Sequence, residues 1–150
     1  MSIYMKIILI LTPLVVGLIT YQLIYISPVI LQILMGIFWL WVGYKFSITP
    51  GNSIMNFLVG NSLWLIAFLF FILQFVLTTA VLNFFIGKLT VSYMFTFKWL
   101  GEKVHLPITH YHPGVELMFS AFIMMLVVFT AGFIFGKSQE RFSTNRVFSK

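Results

Sequence analysis

Aspartate and cysteine do not occur among the 150 residues of this chain. Glutamate occurs three times, at Glu102, Glu116 and Glu140, against nine lysines and arginines. Without cysteine there are no disulfides, no thiolate metal sites and no thiol redox chemistry. Without aspartate, intramembrane aspartyl proteolysis is excluded. Magnesium-dependent lipid-phosphate chemistry loses its usual carboxylates, and no arginine stands before Arg141 to grip a phosphate. The long apolar runs hold no histidine, so a serine there has no imidazole base beside it. Haem ligation between helices is disfavoured for the same reason. Ser120 stands one turn after Glu116, but a serine–glutamate pair alone is a poor nucleophile system. Proton- or sodium-coupled transport generally uses a buried carboxylate. Glu116, at the edge of a run, is the one acidic residue placed for that role. The chain is therefore not expected to be an enzyme, and no cofactor is expected.

What is present is apolar side chain. Hydrophobic residues make up 61% of the chain and charged residues 8%, with a mean hydropathy of +1.05. A water-soluble domain of this size needs about 25% charged residues to cover its outside, so lipid is the expected solvent for most of the surface. Unpaired backbone groups are costly in lipid, which leaves helices or a closed barrel. Barrel strands alternate and turn every ~10 residues, whereas the runs here are long and unbroken. The expected fold is all-α: an integral membrane bundle of four transmembrane helices in a single domain covering residues 1–150. The expected spans are residues 4–26, 29–46, 57–80 and 115–135, followed by a basic tail over 137–150.

Met1 to Ile26 starts like a secretory signal, with Lys6 before an apolar core. The apolar stretch is too long for a signal and no small-residue cleavage site follows, so it is expected to stay as the first span. Pro13 should kink it. Ser27 and Pro28 interrupt the pattern so briefly that an antiparallel hairpin with the second span is expected. Trp39, Trp41, Tyr44 and Lys45 fit an interfacial belt. A turn-rich loop with Pro50 and Gly51 follows. The third run, residues 57–87, would be about 46 Å long as a helix, longer than the roughly 30 Å hydrocarbon core. Its excess should tilt, protrude or bend. From Lys88 to Trp99 apolar and polar residues alternate as in a strand, yet Lys88, Ser92 and Thr96 also recur at helical spacing. A lone strand lacks a partner, so an interfacial amphipathic helix is expected between the third and fourth spans.

Four spans put both termini on one side. That side carries Lys6, Lys45, Lys137, Arg141, Arg146 and Lys150, and the other Lys88, Lys98 and Lys103. The positive-inside rule then makes both ends cytoplasmic, with the tail drawn to anionic lipid. The net charge of +6 is accounted for by topology, and no nucleic-acid partner is expected. The bias toward Ile, Phe, Leu, Met and Lys suggests a bacterial cell membrane.

Three groups of residues are candidates for function. His105, His110 and His112 share the last outer loop, with Glu116 four residues on. Such ligands bind zinc or copper when folded together. The alternative is an ordinary loop, with Glu116 favouring the positive amino-terminal end of a helix. Gln22, Gln32, Gln74 and Asn83, with Thr78 and Thr79, all map toward the outer half of the bundle. They are expected either to line an outward-facing pocket or to join helices by hydrogen bonds of ~0.6 kcal/mol each. Gly132 and Gly136 form a Gly-x-x-x-Gly spacing that permits close helix packing, within or between chains. Gly36 and Gly43 suggest a second smooth face. The eight methionines are expected to fill space.

The leading expectation is a small accessory, regulatory or immunity-type subunit that meets another membrane protein, or itself, through helix contacts. The alternatives are a small channel, permease or lipid- or ligand-binding protein using the outer polar pocket, and an extracytoplasmic metal-binding protein.

Overall fold

The computed structural model describes residues 1–22, 27–74, 80–103 and 113–148. Residues 22, 80–83, 85, 100–102, 113, 114 and 141–148 are described by their backbone alone. The described residues are helical, without strands. In chain order the helices are α1 (Ile3–Gln22), α2 (Pro28–Ser47), α3 (Ser53–Gly60), α4 (Ser62–Leu73), α5 (Ala80–Phe95), α6 (Lys98–Lys103) and α7 (Pro113–Phe148).

Among the described residues, three helical stretches are long and apolar enough to cross a membrane: Ile3–Tyr21, Pro28–Ser47 and Val115–Glu140. The expected third span is broken. α3 and α4 meet at a 53° bend, and the pair makes a fourth crossing only if it is counted as one span. The outward side chains suit lipid. Ile7, Ile8 and Leu11 on α1, Ile33, Leu34 and Ile37 on α2, and Leu65, Ile66 and Leu69 on α4 are all exposed. A water-soluble monomer rarely shows apolar surface on this scale.

Local sequence explains the ends on either side of the α2–α3 turn and the start of α2. Pro28 opens α2, where its missing N–H costs nothing. Asn52 caps α3, its Oδ1 accepting from the Ile54 N–H at 2.9 Å. Gly51 supplies the positive φ of 117° that turns the chain between α2 and α3. The loop is tied down on both sides: Thr49 Oγ1 donates to Lys45 O at 2.8 Å, and buried Asn56 donates through Nδ2 to Thr49 O at 2.8 Å. α1 remains helical through Pro13.

α7 is the strut of the fold, with two aromatic nodes seven residues apart. Phe129 meets Trp39, Phe46 and Phe57 at ring separations of 5.4, 6.2 and 5.6 Å. Phe122 meets Phe68, Phe71, Trp64 and Tyr93 at 5.3, 5.6, 6.0 and 6.4 Å. The first node holds α2 and α3, and the second holds α4 and α5. Trp64 adds a directed link, its indole N–H donating to Phe122 O at 2.9 Å.

α2 and α7 run in the same direction, and glycine sets their separation. A Cβ on Gly132 would fall on the Leu40 carbonyl, one on Gly43 on the Phe129 carbonyl, and one on Gly136 on Ser47 Oγ. Gly132 and Gly136 thus serve a contact within the chain. Gly36, paired with Gly43 in the sequence reading, has nothing within 4 Å of where its Cβ would lie.

Three further expectations change. α1 makes its main contact with α5 rather than α2, where Gly17 lets α1 approach the Ser92 carbonyl. The stretch after Lys88 is a helix, but its hydroxyls do not form a water-facing stripe. Thr90, Ser92 and Thr96 are buried while Leu89 is exposed. Burial is tolerable for the threonines because they bond locally: Thr90 Oγ1 donates to Ile86 O at 2.8 Å and Thr96 Oγ1 to Tyr93 O at 3.3 Å. Finally, the basic tail continues α7, whose 36 residues extend for about 54 Å. Lys137 pairs with Glu140 at 2.7 Å along it.

Candidate functional site

Among the described residues, a cavity lies where the far ends of α1 and α5 meet the start of α7. Tyr21 contributes from α1, and Val91, Met94 and Phe95 from α5. Lys98 opens α6, and Leu117 and Met118 close the wall on α7. The volume is about 440 Å³, inside the range of roughly 300–1,000 Å³ usual for small-ligand sites.

Each wall follows from a local rule. Val91, Met94 and Phe95 share a helix face because residues three and four apart are neighbours. The Phe95 ring meets Tyr21 edge to face, with centroids 5.5 Å apart, which joins α1 to α5 at one side of the cleft. α5 ends in a turn closed by the Phe97 N–H on Met94 O at 2.8 Å. That turn sets Lys98 at the junction with α6. Tyr21 and Lys98 are exposed, so the polar groups of the lining stand toward the outside while methionine and aliphatic side chains form the interior. The arrangement can hold an apolar body and present one cation and one phenol to its polar end.

The residues singled out from sequence do not form this lining. Gln22 closes α1, next to Tyr21, with its side chain outside the described residues. Gln32 is buried on α2. Gln74 ends α4 with its Oε1 3.4 Å from where a Gly87 Cβ would lie. Its buried Nε2 has no hydrogen-bond partner among the described residues. Asn83 lies in α5, described by backbone only. Thr78 and Thr79 fall outside the described residues. Gln32 and Gln74 are not among the residues that line this cleft. The cleft near Gln22 is largely apolar instead.

His105, His110 and His112 also lie outside the described residues. Glu116 takes its place in the first turn of α7, immediately before Leu117 of the cleft. The described residues contain no group of three or more histidine, aspartate or glutamate side chains able to hold a metal.

Sequence reasoning missed the cleft because its lining comes from three separated segments, around residues 21, 91–98 and 117–118. Met94 and Met118 read as space-filling, and Lys98 as one charge in a count of the outer side. The Val91, Met94, Phe95 spacing was the one local signal.

No protein-family model, curated protein or solved structure matches this chain.

Proposed function

We propose that this chain is a small multi-pass protein of the cell membrane whose cleft binds the apolar part of a small amphiphilic ligand. The observation that carries the reading is the cleft of about 440 Å³ between α1, α5 and α7, with Lys98 at its edge. Methionine suits such a role because its unbranched thioether adapts to irregular ligands. The topology that goes with this reading counts α3 and α4 as one broken span. Phe57 of α3 packs on Phe129 and Phe133, and Phe68 of α4 packs on Phe119. The bent pair thus runs beside about 21 Å of α7. Both termini are then cytoplasmic, and the cleft lies at the outer end of the bundle.

The test is saturable binding of a fluorescent long-chain amphiphile to the purified protein in nanodiscs. Met118→Trp, which fills the cleft, should abolish the saturable component. Full saturable binding to a folded Met118→Trp variant would remove the proposal.

A second reading, an accessory subunit acting through helix contacts, rests on Gly36. It lies among exposed Ile33, Leu34 and Ile37 with open space at its Cβ position, and such a notch admits a close helix partner. Gly36→Leu should then release a co-purifying membrane protein. Unchanged co-purification counts against this role for the notch.

A further inference from the structure

We infer that the ligand of this cleft is a single-chain amphiphile with an anionic head, held by Lys98 while its tail lies along Met94 and Met118. The inference rests on the cleft reading above and adds the chemistry of the ligand's head and the number of its chains.

Two observations point the same way. The first is charge. Among the described lining residues, Lys98 is the one basic or acidic side chain. It stands at the exposed end, where a lysine stem lies against apolar surface and its ammonium reaches the interface. Lys98 has interactions of its own within the chain, but an ammonium carries three donors, so an anionic head can join or replace them. The second is size. A volume of about 440 Å³ lies at the lower end of the ligand-site range of roughly 300–1,000 Å³, which suits one acyl chain better than the two of a phospholipid. The polar and apolar parts of the cleft are also ordered correctly for such a molecule. Tyr21 and Lys98 stand at the exposed edge, and Val91, Met94 and Leu117 lie inward.

The experiment uses the full chain in nanodiscs and a palmitate analogue with a diazirine near the end of its tail. Photolabelling should saturate and map to peptides containing Val91 to Phe95 and Leu117 to Met118. Unlabelled palmitate and lysophosphatidic acid should compete. A neutral monopalmitoyl glycerol should need about fivefold more for the same competition, the size of a partly exposed charge pair. Lys98→Gln should remove that difference and leave labelling by the tail in place. Stronger competition by lysophosphatidic acid identifies the head as phosphate, and stronger competition by palmitate identifies it as carboxylate. Either supports the inference. Saturable labelling at the mapped peptides with equal competition by the neutral lipid overturns the anionic head while the cleft reading stands. Labelling that does not saturate and spreads over the outer faces of α1, α2 and α4 reports surrounding lipid and overturns both. The mapping is done on the unmodified chain, so it does not depend on any variant folding.

Discussion

The indole N–H of Trp64 donates to the main-chain carbonyl of Phe122 at 2.9 Å, while the two rings meet edge to face at 6.0 Å. One residue thus supplies both an aromatic contact and a directed bond between α4 and α7. Replacing Trp64 by Phe keeps an aromatic ring and removes the donor. Expected is a loss of about 1 kcal/mol, since interhelical hydrogen bonds in membranes are worth less than their isolated strength. The check is the unfolding midpoint of the detergent-solubilised protein. An unchanged midpoint would show that the bond contributes nothing net.

The α2–α7 contact predicts opposite outcomes at two glycines on one helix. Gly43→Ala drives a methyl group into the Phe129 carbonyl and is expected to cost about 1–3 kcal/mol as an overpacked contact. Gly36→Ala meets open space and is expected to stabilise α2 by up to about 1 kcal/mol through the lower helix propensity of glycine. Denaturant titration of the two variants side by side is decisive, because equal effects would contradict the packing described.

Two buried asparagines near the bent span should also differ. Asn56 donates to Thr49 O at 2.8 Å, so Asn56→Ala removes a bond that ties the α2–α3 loop and is expected to cost about 1–3 kcal/mol. Asn61 donates to Phe57 O at 3.0 Å, but that carbonyl also accepts from the Asn61 main-chain N–H at 3.1 Å. Its own buried Oδ1 has no partner among the described residues. Asn61→Ala therefore removes an uncompensated polar atom together with a redundant bond, and its net cost should stay below about 1 kcal/mol. Thermal melts rank the pair, and a larger loss at Asn61 would count against this assignment.

The absence of cysteine makes topology directly measurable. Single replacements Ser2→Cys, Gly51→Cys, Thr109→Cys and Ser143→Cys are expected to label with an impermeant thiol reagent in two classes. Thr109→Cys should react from outside intact cells, and the other three only after permeabilisation. Outside labelling of Ser143→Cys together with internal Ser2→Cys would mean an odd number of crossings and would retire α3–α4 as a span. Because Gly51 has positive φ, Asn52→Cys serves as a second reporter for that loop.

Much of the architecture was legible from the chain itself. Apolar runs with so few charges have one economical solution in lipid, the helix, because it satisfies every backbone group internally. The close approach of Gly132 and Gly136 was legible as a capacity, since removing two side chains on one face can serve only a near neighbour. Its partner was not. Leu40, Gly43 and Ser47 lie about ninety residues away and carry no local mark of that role. The break at Gly60 and Asn61 was hidden for a similar reason. A glycine and an asparagine inside an apolar run are tolerated by a straight helix, and it is the packing of Gly60 on the Phe129 ring that accompanies the bend.

Burial reversed the reading of α5. Ser92 and Thr96 share a period with Lys88 and look like a wet stripe, but a serine or threonine hydroxyl has a main-chain acceptor one turn back. Such residues enter a protein interior at little cost, so their periodicity does not say which way a helix faces.

Composition and periodicity determined that this chain is helical, lipid-compatible and poor in catalytic groups, because those properties are sums over local side chains. The tertiary structure alone decided that α1 joins α5, that α2 joins α7, and that Tyr21, Met94, Lys98 and Met118 surround one cleft. A cavity is the space left between helices, and its shape depends on which faces meet, a choice made by long-range packing rather than by any segment alone.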